Sequence, residues 1–173
     1  LKTFPELFLK YGDPSKLPPD YLLDIMEALN LKYGDSRRIY ADDIIRSLSY
    51  IGKTEFAADF ENWIRDNDIG EEFKYLLLRI ADHSEMQGLT DIAKTIISDE
   101  NLFPQIRITA IHYIGKIGSK QDINYVKQYL ISEEDIKNSI IAATIEAFYP
   151  DNLTNKELFT FLKKTNNVNV YSV

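Results

Sequence analysis

A Gly-Lys-Thr triplet at residues 52–54 is the first candidate for chemistry, because the same triplet ends the phosphate-binding P-loop of many NTPases. The full motif also needs a glycine five positions before Gly52 and a strand ahead of it. That position is Ser47, which lies in a segment with helical apolar spacing. We therefore interpret the triplet as a helix end followed by a capping residue, Thr54, and we expect no ATP binding.

The segment 66–72 is rich in carboxylates and resembles the start of a calcium-binding loop. An EF-hand loop needs glycine at its sixth position and a bidentate glutamate at its twelfth. Counted from Asp66, these positions hold Glu71 and Leu77. We interpret the segment as a polar turn between two helices and expect no metal site there.

Three acidic runs, at residues 42–43, 71–72 and 133–135, are candidates for paired carboxylates in acid–base catalysis. Each run falls in the predicted first turn of a helix, where negative charge interacts favourably with the helix dipole. Ser132 would cap the last of these helices. We therefore interpret the runs as helix starts and predict no catalytic residue among them.

The chain has no cysteine and only two histidines that could take part in catalysis or metal binding. Cysteine is absent, which excludes a thiol nucleophile, cysteine-ligated zinc and disulfides. Neither His83 nor His112 has a second histidine or a carboxylate at metal-ligand spacing on its helix face. We expect no metal, no cofactor and no enzymatic activity in this chain.

The overall composition narrows the classes of partner. The net charge of −7 is opposite in sign to the basic surface typical of nucleic-acid binders, and most of the 11 Tyr and 9 Phe fall on apolar helix faces. No run reaches the roughly 18 apolar residues of a membrane span, and the given residues show no signal-peptide pattern. We expect a cytoplasmic protein that binds neither nucleic acid nor membrane. Because the sequence begins with Leu1 instead of Met, we also expect a piece of a longer protein.

Apolar residues at helical spacing run through the whole chain, and no segment alternates with the period of a strand between turn dipeptides. Over residues 1–69 the pattern predicts irregular helix pairs. One helix in this part has a core stripe at Phe56, Phe60, Trp63 and Ile64. The chain is therefore predicted to be all helical.

A repeating pair of helices is predicted from residue 70 onwards, with repeats at 70–103, 104–132 and 133–164. A shift of 33 residues superposes the first repeat on the second, and a further shift of 30 places Ala110 on Ile140 in the third. Helix pairs repeated at this length are typical of solenoids, in which each pair buries its apolar face against its neighbours.

The segment 106–118 decides which kind of solenoid is predicted. It is similar to the short bacterial HEAT-like repeat, in which an arginine and a small residue (here Arg107 and Ala110) precede an aliphatic-glycine helix end. The arginine would bond to loops of a neighbouring repeat, and the alanine would let the partner helix approach closely. The signature residues of ankyrin and tetratricopeptide repeats are absent. We predict an all-α, right-handed α-solenoid of stacked antiparallel helix pairs, HEAT-like, with residues 1–173 as one domain.

The second helices of the pairs supply the candidate binding face, because in HEAT-like arrays they usually line the concave surface that binds partners. Lys94 and Lys127 occupy the same position in successive repeats. The candidate partner-binding residues, all predicted to point outward, are Asp91, Lys94, Asn124, Lys127, Lys156 and Lys163. A solvated face without a partner would have the same composition, so this set indicates where a protein would bind and not which protein.

The stretch 147–162 carries a more specific resemblance. It combines an Ala-aromatic-Pro turn, a capping box formed by Thr154 and Glu157, and a Glu-Leu-Phe segment. It resembles the C-terminal helical region of bacterial NACHT-like STAND NTPases, and residues 73–109 are similar to the same region. In that family a tyrosine-containing segment follows, which Tyr171 would begin.

The resemblance implies a function that the residues alone do not. The ATPase core would lie outside this sequence, and the helical repeats would sense a foreign component, such as a phage protein, or bind another domain of the same chain. Two alternatives remain open: a general assembly scaffold, and a HEAT-repeat enzyme of the alkyl-purine DNA glycosylase or bilin lyase kind. The glycosylase type needs a basic groove, which the net charge of −7 disfavours.

Overall fold

A computed structural model of the chain describes residues 5–13, 16–33, 48–49, 54–134 and 136–165. Over these ranges the structure contains α-helices and no strand, which confirms the all-α class. The predictions for Gly52, for the acidic run at 42–43 and for Tyr171 fall outside the described residues.

Nine α-helices follow one another within the described ranges, with one 3-10 turn at Thr54–Phe56. In chain order they are α1 (Pro5–Tyr11), α2 (Pro19–Tyr33), α3 (Ala57–Arg65), α4 (Glu71–Ser84), α5 (Thr90–Ser98), α6 (Pro104–Ile117), α7 (Lys120–Ser132), α8 (Asn138–Phe148) and α9 (Asn155–Lys164). The chain divides into two compact units, residues 1–92 and 93–173, and the predicted organisation as a single domain stays a prediction.

In the 1–92 unit, α2 and α3 both pack against α4. The core stripe predicted for this part is buried at Phe56, Phe60 and Ile64, while Trp63 is half-buried. Glu71 and Glu72 lie in the first turn of α4, as their interpretation as a helix start predicts. The segment between α3 and α4 is a turn in which the Asp66 carboxylate accepts a hydrogen bond from the Asp68 amide at 2.9 Å. Polar residues in this turn therefore satisfy the backbone between two helices.

In the 93–173 unit, α6 packs most extensively against α8, and α9 also packs against α8. The two helices approach closely at Gly115, where an added Cβ atom would lie 2.9 Å from the Ala147 carbonyl oxygen. A residue without a side chain is required at this contact, because a backbone oxygen cannot move aside independently of its helix. Ala110 is fully buried on α6, in agreement with the role predicted for a small residue there.

The start of the third helix pair differs from the prediction. Ser132 does not cap a helix that begins at 133–135; it is the last residue of α7, and its hydroxyl donates to the Tyr129 carbonyl at 2.7 Å. Helix α8 begins only at Asn138. The interval from Pro104 to Asn138 is thus longer than the 30-residue shift that aligned the two repeats, so that shift does not superpose the starts of α6 and α8. Glu133 has an extended backbone, and its carboxylate lies 3.4 Å from the guanidinium group of the buried Arg107.

Candidate functional site

Five of the six candidate residues, all except Asp91, lie in the 93–173 unit. Asn124, Lys156 and Lys163 are exposed, and none has a hydrogen bond or ion pair through its side chain within the described residues. Lys94 and Lys127 are engaged in contacts with other helices. The use of these six residues as a partner-binding face stays a prediction.

Lys127 corrects the prediction that this position points outward. Its residue is only 6% exposed, because the side chain extends from α7 into the chain that leads to α9. There Nζ donates to the Asn152 carbonyl oxygen at 2.8 Å and lies 3.0 Å from a Glu157 carboxylate oxygen. The apolar stem of lysine allows this burial while the ammonium group keeps polar partners.

Lys94 on α5 makes a similar contact with the start of α7. Its Nζ lies 2.7 Å from the Asp122 carboxylate, and it is 5.7 Å from the centre of the Tyr125 ring. Asp122 also completes a capping box at the start of α7, in which the Ser119 hydroxyl accepts from the Asp122 amide. The Lys94 ammonium, together with the Ser119 hydroxyl and amide, holds the pKa of Asp122 below its ordinary value, although burial opposes the shift.

The capping box predicted at the start of α9 is confirmed. The Thr154 hydroxyl accepts from the Glu157 amide at 3.2 Å, and the Thr154 amide donates to the Glu157 carboxylate at 2.8 Å. Burial raises the pKa of Glu157, but the hydrogen bonds from Thr154 and Lys127 outweigh it, and the net pKa lies below its ordinary value. Asp122 at the start of α7 and Glu157 at the start of α9 are thus both held ionised by a lysine from another helix.

A second set of contacts runs in the opposite direction, to the C-terminal ends of the same helices. The Tyr129 hydroxyl on α7 donates to the Ser98 carbonyl at the end of α5 at 3.2 Å. Lys164 on α9 donates to the Glu133 carbonyl, just after α7, at 2.5 Å. Carbonyl groups at a helix end lack intrahelical partners, and here α7 supplies a donor to the end of α5 while α9 supplies one to the end of α7.

These contacts define what we call the lysine–cap ladder: Lys94 with Asp122, and Lys127 with Glu157. The sequence contained its signal, since residues 119–122 and 154–157 both follow the capping-box pattern and the two lysines share one repeat position. Sequence reasoning assigned the lysines to a binding face because side-chain direction at a polar helix position depends on neighbours distant in the sequence.

Removing the buried lysine should test the ladder directly. We expect Lys127→Met to lower the free energy of unfolding by about 1–3 kcal/mol, because the Asn152 carbonyl and the Glu157 carboxylate lose a donor while the apolar stem is retained. Urea titration followed by circular dichroism measures this. Lys156→Met on the exposed surface of α9 is the matched control and should change stability by less than about 0.5 kcal/mol. Equal effects of the two substitutions would contradict the burial of Lys127.

Arg107 and Glu133 form a buried ion pair beside the ladder. The Arg107 side chain is 5% exposed and that of Glu133 is 8% exposed, and their charged atoms are 3.4 Å apart. Arg107 Nε also donates to the Ile97 carbonyl, at 2.9 Å, near the end of α5. The sequence predicted that this arginine bonds to loops of a neighbouring repeat, whereas the Ile97 carbonyl that it contacts belongs to helix α5 and not to a loop.

The surroundings of Glu133 raise the pKa of its carboxyl group. Burial raises its pKa, the neighbouring carboxyl group of Glu100 raises it further, and Arg107 opposes both effects, so the net pKa lies above the ordinary value of 4.5. Burial and the charge of Glu133 likewise raise the pKa of Tyr129. A proton on Glu133 relieves the repulsion with Glu100, and the folded state therefore binds a proton more tightly than the unfolded chain.

The raised pKa of Glu133 predicts the direction in which the free energy of unfolding changes with pH. A carboxyl group with a raised pKa contributes stability that is fully present below its unfolded value and is lost as pH rises through its folded value. We expect the free energy of unfolding of Glu133→Gln, relative to the unaltered chain, to increase as pH rises from about 4.5 towards neutrality. Urea unfolding at several pH values measures it. Glu134→Gln, which removes a carboxylate from the exposed neighbouring position, is the matched control, and a flat difference for Glu133→Gln would show that its proton affinity is unaltered by folding.

A polar groove of about 400 Å³ lies between the start of α7 and the loop from α8 to α9. Its lining residues are Lys120, Ile123, Asn124, Pro150, Asp151, Asn152, Leu153 and Thr154. The side chains of Lys120, Asn124 and Asp151 are exposed and have no hydrogen bond or ion pair within the part of the chain that the structure describes. Of the predicted residues only Asn124 lines this groove, and Lys120 and Asp151 were not predicted.

Within the described ranges, no group of three or more histidine, aspartate or glutamate residues is arranged to hold a metal ion. None of the described helices has the length and apolar character required to cross a membrane. Comparison with known proteins gives no match to a family model, to a curated protein or to a solved structure.

Proposed function

We propose that this chain is a protein-binding module built as a right-handed, HEAT-like α-solenoid, and that its polar groove binds an extended segment of the partner. The repeat arrangement is supported by the lysine–cap ladder, in which two successive pairs of second helices are joined by the same lysine-to-capping-box contact. Contacts that recur between neighbouring units are typical of solenoids, whose repeats are stabilised by their nearest neighbours.

The observation that carries the proposed site is the set of unpaired polar side chains in the groove. Asn124 offers an amide donor and an amide acceptor, which is the same pair of groups that a peptide unit presents. Lys120 and Asp151 add one charge of each sign. A groove with these groups favours a peptide segment over a polyanion, since the acidic Asp151 would repel phosphate groups.

The wider role rests on the resemblance of residues 147–162. We propose that the module belongs to a bacterial, cytoplasmic NACHT-like STAND NTPase and acts in defence as the part that senses a foreign protein or binds another domain of its own chain. The NTPase activity would belong to the upstream core, so this chain contributes recognition and no catalysis. The upstream sequence of the intact protein tests this: a complete P-loop there supports the proposal, and its absence contradicts it.

The groove is tested by selecting displayed random peptides on the chain and measuring their affinities by calorimetry. The groove variant Asn124→Ala with Asp151→Ala should weaken the selected peptides by about tenfold or more, which corresponds to 1.4 kcal/mol. The matched control, Asn67→Ala with Glu55→Ala, removes one amide and one carboxylate at exposed positions outside the groove and should leave the affinities unchanged. Failure to enrich any peptide, or equal binding by both variants, would place the site elsewhere. Lys94 and Lys127 are unsuitable probes because their substitution disturbs the ladder.

A further inference from the structure

A small pocket in the 1–92 unit is distinct from the groove. It has a volume of about 210 Å³ and is formed where α2 meets α3 and α4. Its lining residues are Glu27, Asn30, Leu31, Trp63 and Phe73. Sites for drug-sized ligands usually measure roughly 300–1,000 Å³, so this pocket accommodates a single side chain or a small head group.

The wall of the pocket is aromatic and held in place. Trp63 packs edge-on against Phe73, with ring centres 5.9 Å apart, and contacts Phe60 at 6.1 Å. Phe60 and Phe73 are fully buried, whereas the Trp63 indole is partly exposed. The buried rings therefore fix the orientation of an indole that remains open to solvent on part of its surface.

The described residues that line the pocket carry a negative charge. Glu27 and Asn30 project from α2 at its rim, and neither side chain has a hydrogen bond or ion pair within the described residues. The indole of Trp63 is likewise without a hydrogen-bond partner there. Among the residues that the structure describes, nothing basic lines the pocket, and its polar and aromatic groups are one carboxylate, one amide and one indole ring.

An indole face and a carboxylate attract the same kind of ligand. The ring quadrupole places negative potential over the face of an aromatic ring, and tryptophan gives the strongest cation–π interaction of the aromatic side chains. A carboxylate at the rim adds a direct charge interaction with the same cation. We propose that this pocket binds an organic cation, either the guanidinium or ammonium group of a partner's side chain or a free quaternary ammonium ion.

The chain contains one tryptophan, so its fluorescence reports on this pocket alone. The probes are choline chloride, N-acetyl-arginine amide and N-acetyl-lysine amide, titrated at constant ionic strength. The neutral isostere of choline, 3,3-dimethyl-1-butanol, has the same shape without the charge. We expect a saturable change in Trp63 emission with at least one cation and none with the neutral analogue.

Two substitutions separate the pocket from general charge effects. Glu27→Gln should weaken the cation about threefold, as expected for loss of a partly exposed ion pair. Glu55→Gln removes the same charge from an exposed position outside the pocket and should leave the affinity unchanged. Tighter binding of arginine or lysine amide identifies a partner's side chain as the ligand, and tighter binding of choline identifies a free ion.

The proposal is overturned by an unsaturable response to every cation, by equal binding of the neutral analogue, or by equal effects of Glu27→Gln and Glu55→Gln. These outcomes are independent of the groove in the 93–173 unit, because no groove residue is altered and Trp63 is absent from its lining. A negative result here would leave the peptide-binding proposal untouched.

Discussion

Ala110→Asp is expected to lower the free energy of unfolding by about 3–5 kcal/mol, the range for leaving a charge buried without compensation. Ala110 is fully buried on α6, and Arg107, one turn earlier, is already bonded to Ile97 and Glu133. The new carboxylate would therefore lack a cation, and burial would also raise its pKa. Urea unfolding followed by circular dichroism measures the loss.

The control for Ala110→Asp is Ala142→Asp, on the exposed side of α8. That substitution keeps the charge in water and should cost less than about 1 kcal/mol, mostly from the lower helix propensity of aspartate. A similar midpoint for the two variants would show that Ala110 is accessible to solvent and would remove the main support for its packing role.

Arg107→Ala is expected to cost about 3–5 kcal/mol as well, for the opposite reason: it removes a buried cation instead of adding a buried anion. Glu133 would be left nearly buried without its partner, and the Ile97 carbonyl would lose a donor at 2.9 Å. The loss should be smaller near pH 5 than near pH 8, since the stranded Glu133 can take up a proton in acid.

An exposed ion pair on α3 provides the comparison for Arg107→Ala. Arg65 lies 2.7 Å from the Glu61 carboxylate, a shorter contact than that of Arg107 with Glu133, but the Arg65 side chain is 52% exposed. Arg65→Ala should cost only about 0.3–0.5 kcal/mol, as is usual for pairs one helical turn apart. If Arg107→Ala and Arg65→Ala lowered the free energy of unfolding by the same amount, the burial of Arg107 would not govern its contribution to stability.

The positions of the helices follow from local sequence. The apolar stripe at Phe56, Phe60 and Ile64 recurs with the helical period, and side chains separated by three or four residues necessarily share one face. The capping box of Thr154 and Glu157 is local in the same sense, because both partners lie within one turn. The apolar stripe and this capping box, whose residues lie close together in the sequence, were both predicted from the sequence and are present in the structure.

The exact start of α8 was not predictable in this way. The acidic run 133–135 has the composition of a helix start, yet Glu133 lies outside α8 and its carboxylate contacts Arg107, which is 26 residues earlier in the chain. The preference of a carboxylate for a helix N-terminus is worth about 0.3–1 kcal/mol at an exposed site, so a buried cation can outweigh it. That cation is brought near only by the packing of α6.

The candidate sites depended on tertiary structure for a related reason. Lys127 occupies a polar helix position by sequence, but its long stem reaches the Asn152 carbonyl, which is brought within range only by the fold. Likewise Asn124 and Asp151 share one groove, and Glu27 and Trp63 share one pocket, across intervals of about 30 residues that no helical period relates. The sequence by itself determined that the chain forms helices and which of their positions carry apolar side chains, because those properties arise within one turn. Which polar side chains stay free to bind a ligand was decided by contacts between helices, because a flexible side chain takes the partner that packing brings within its reach.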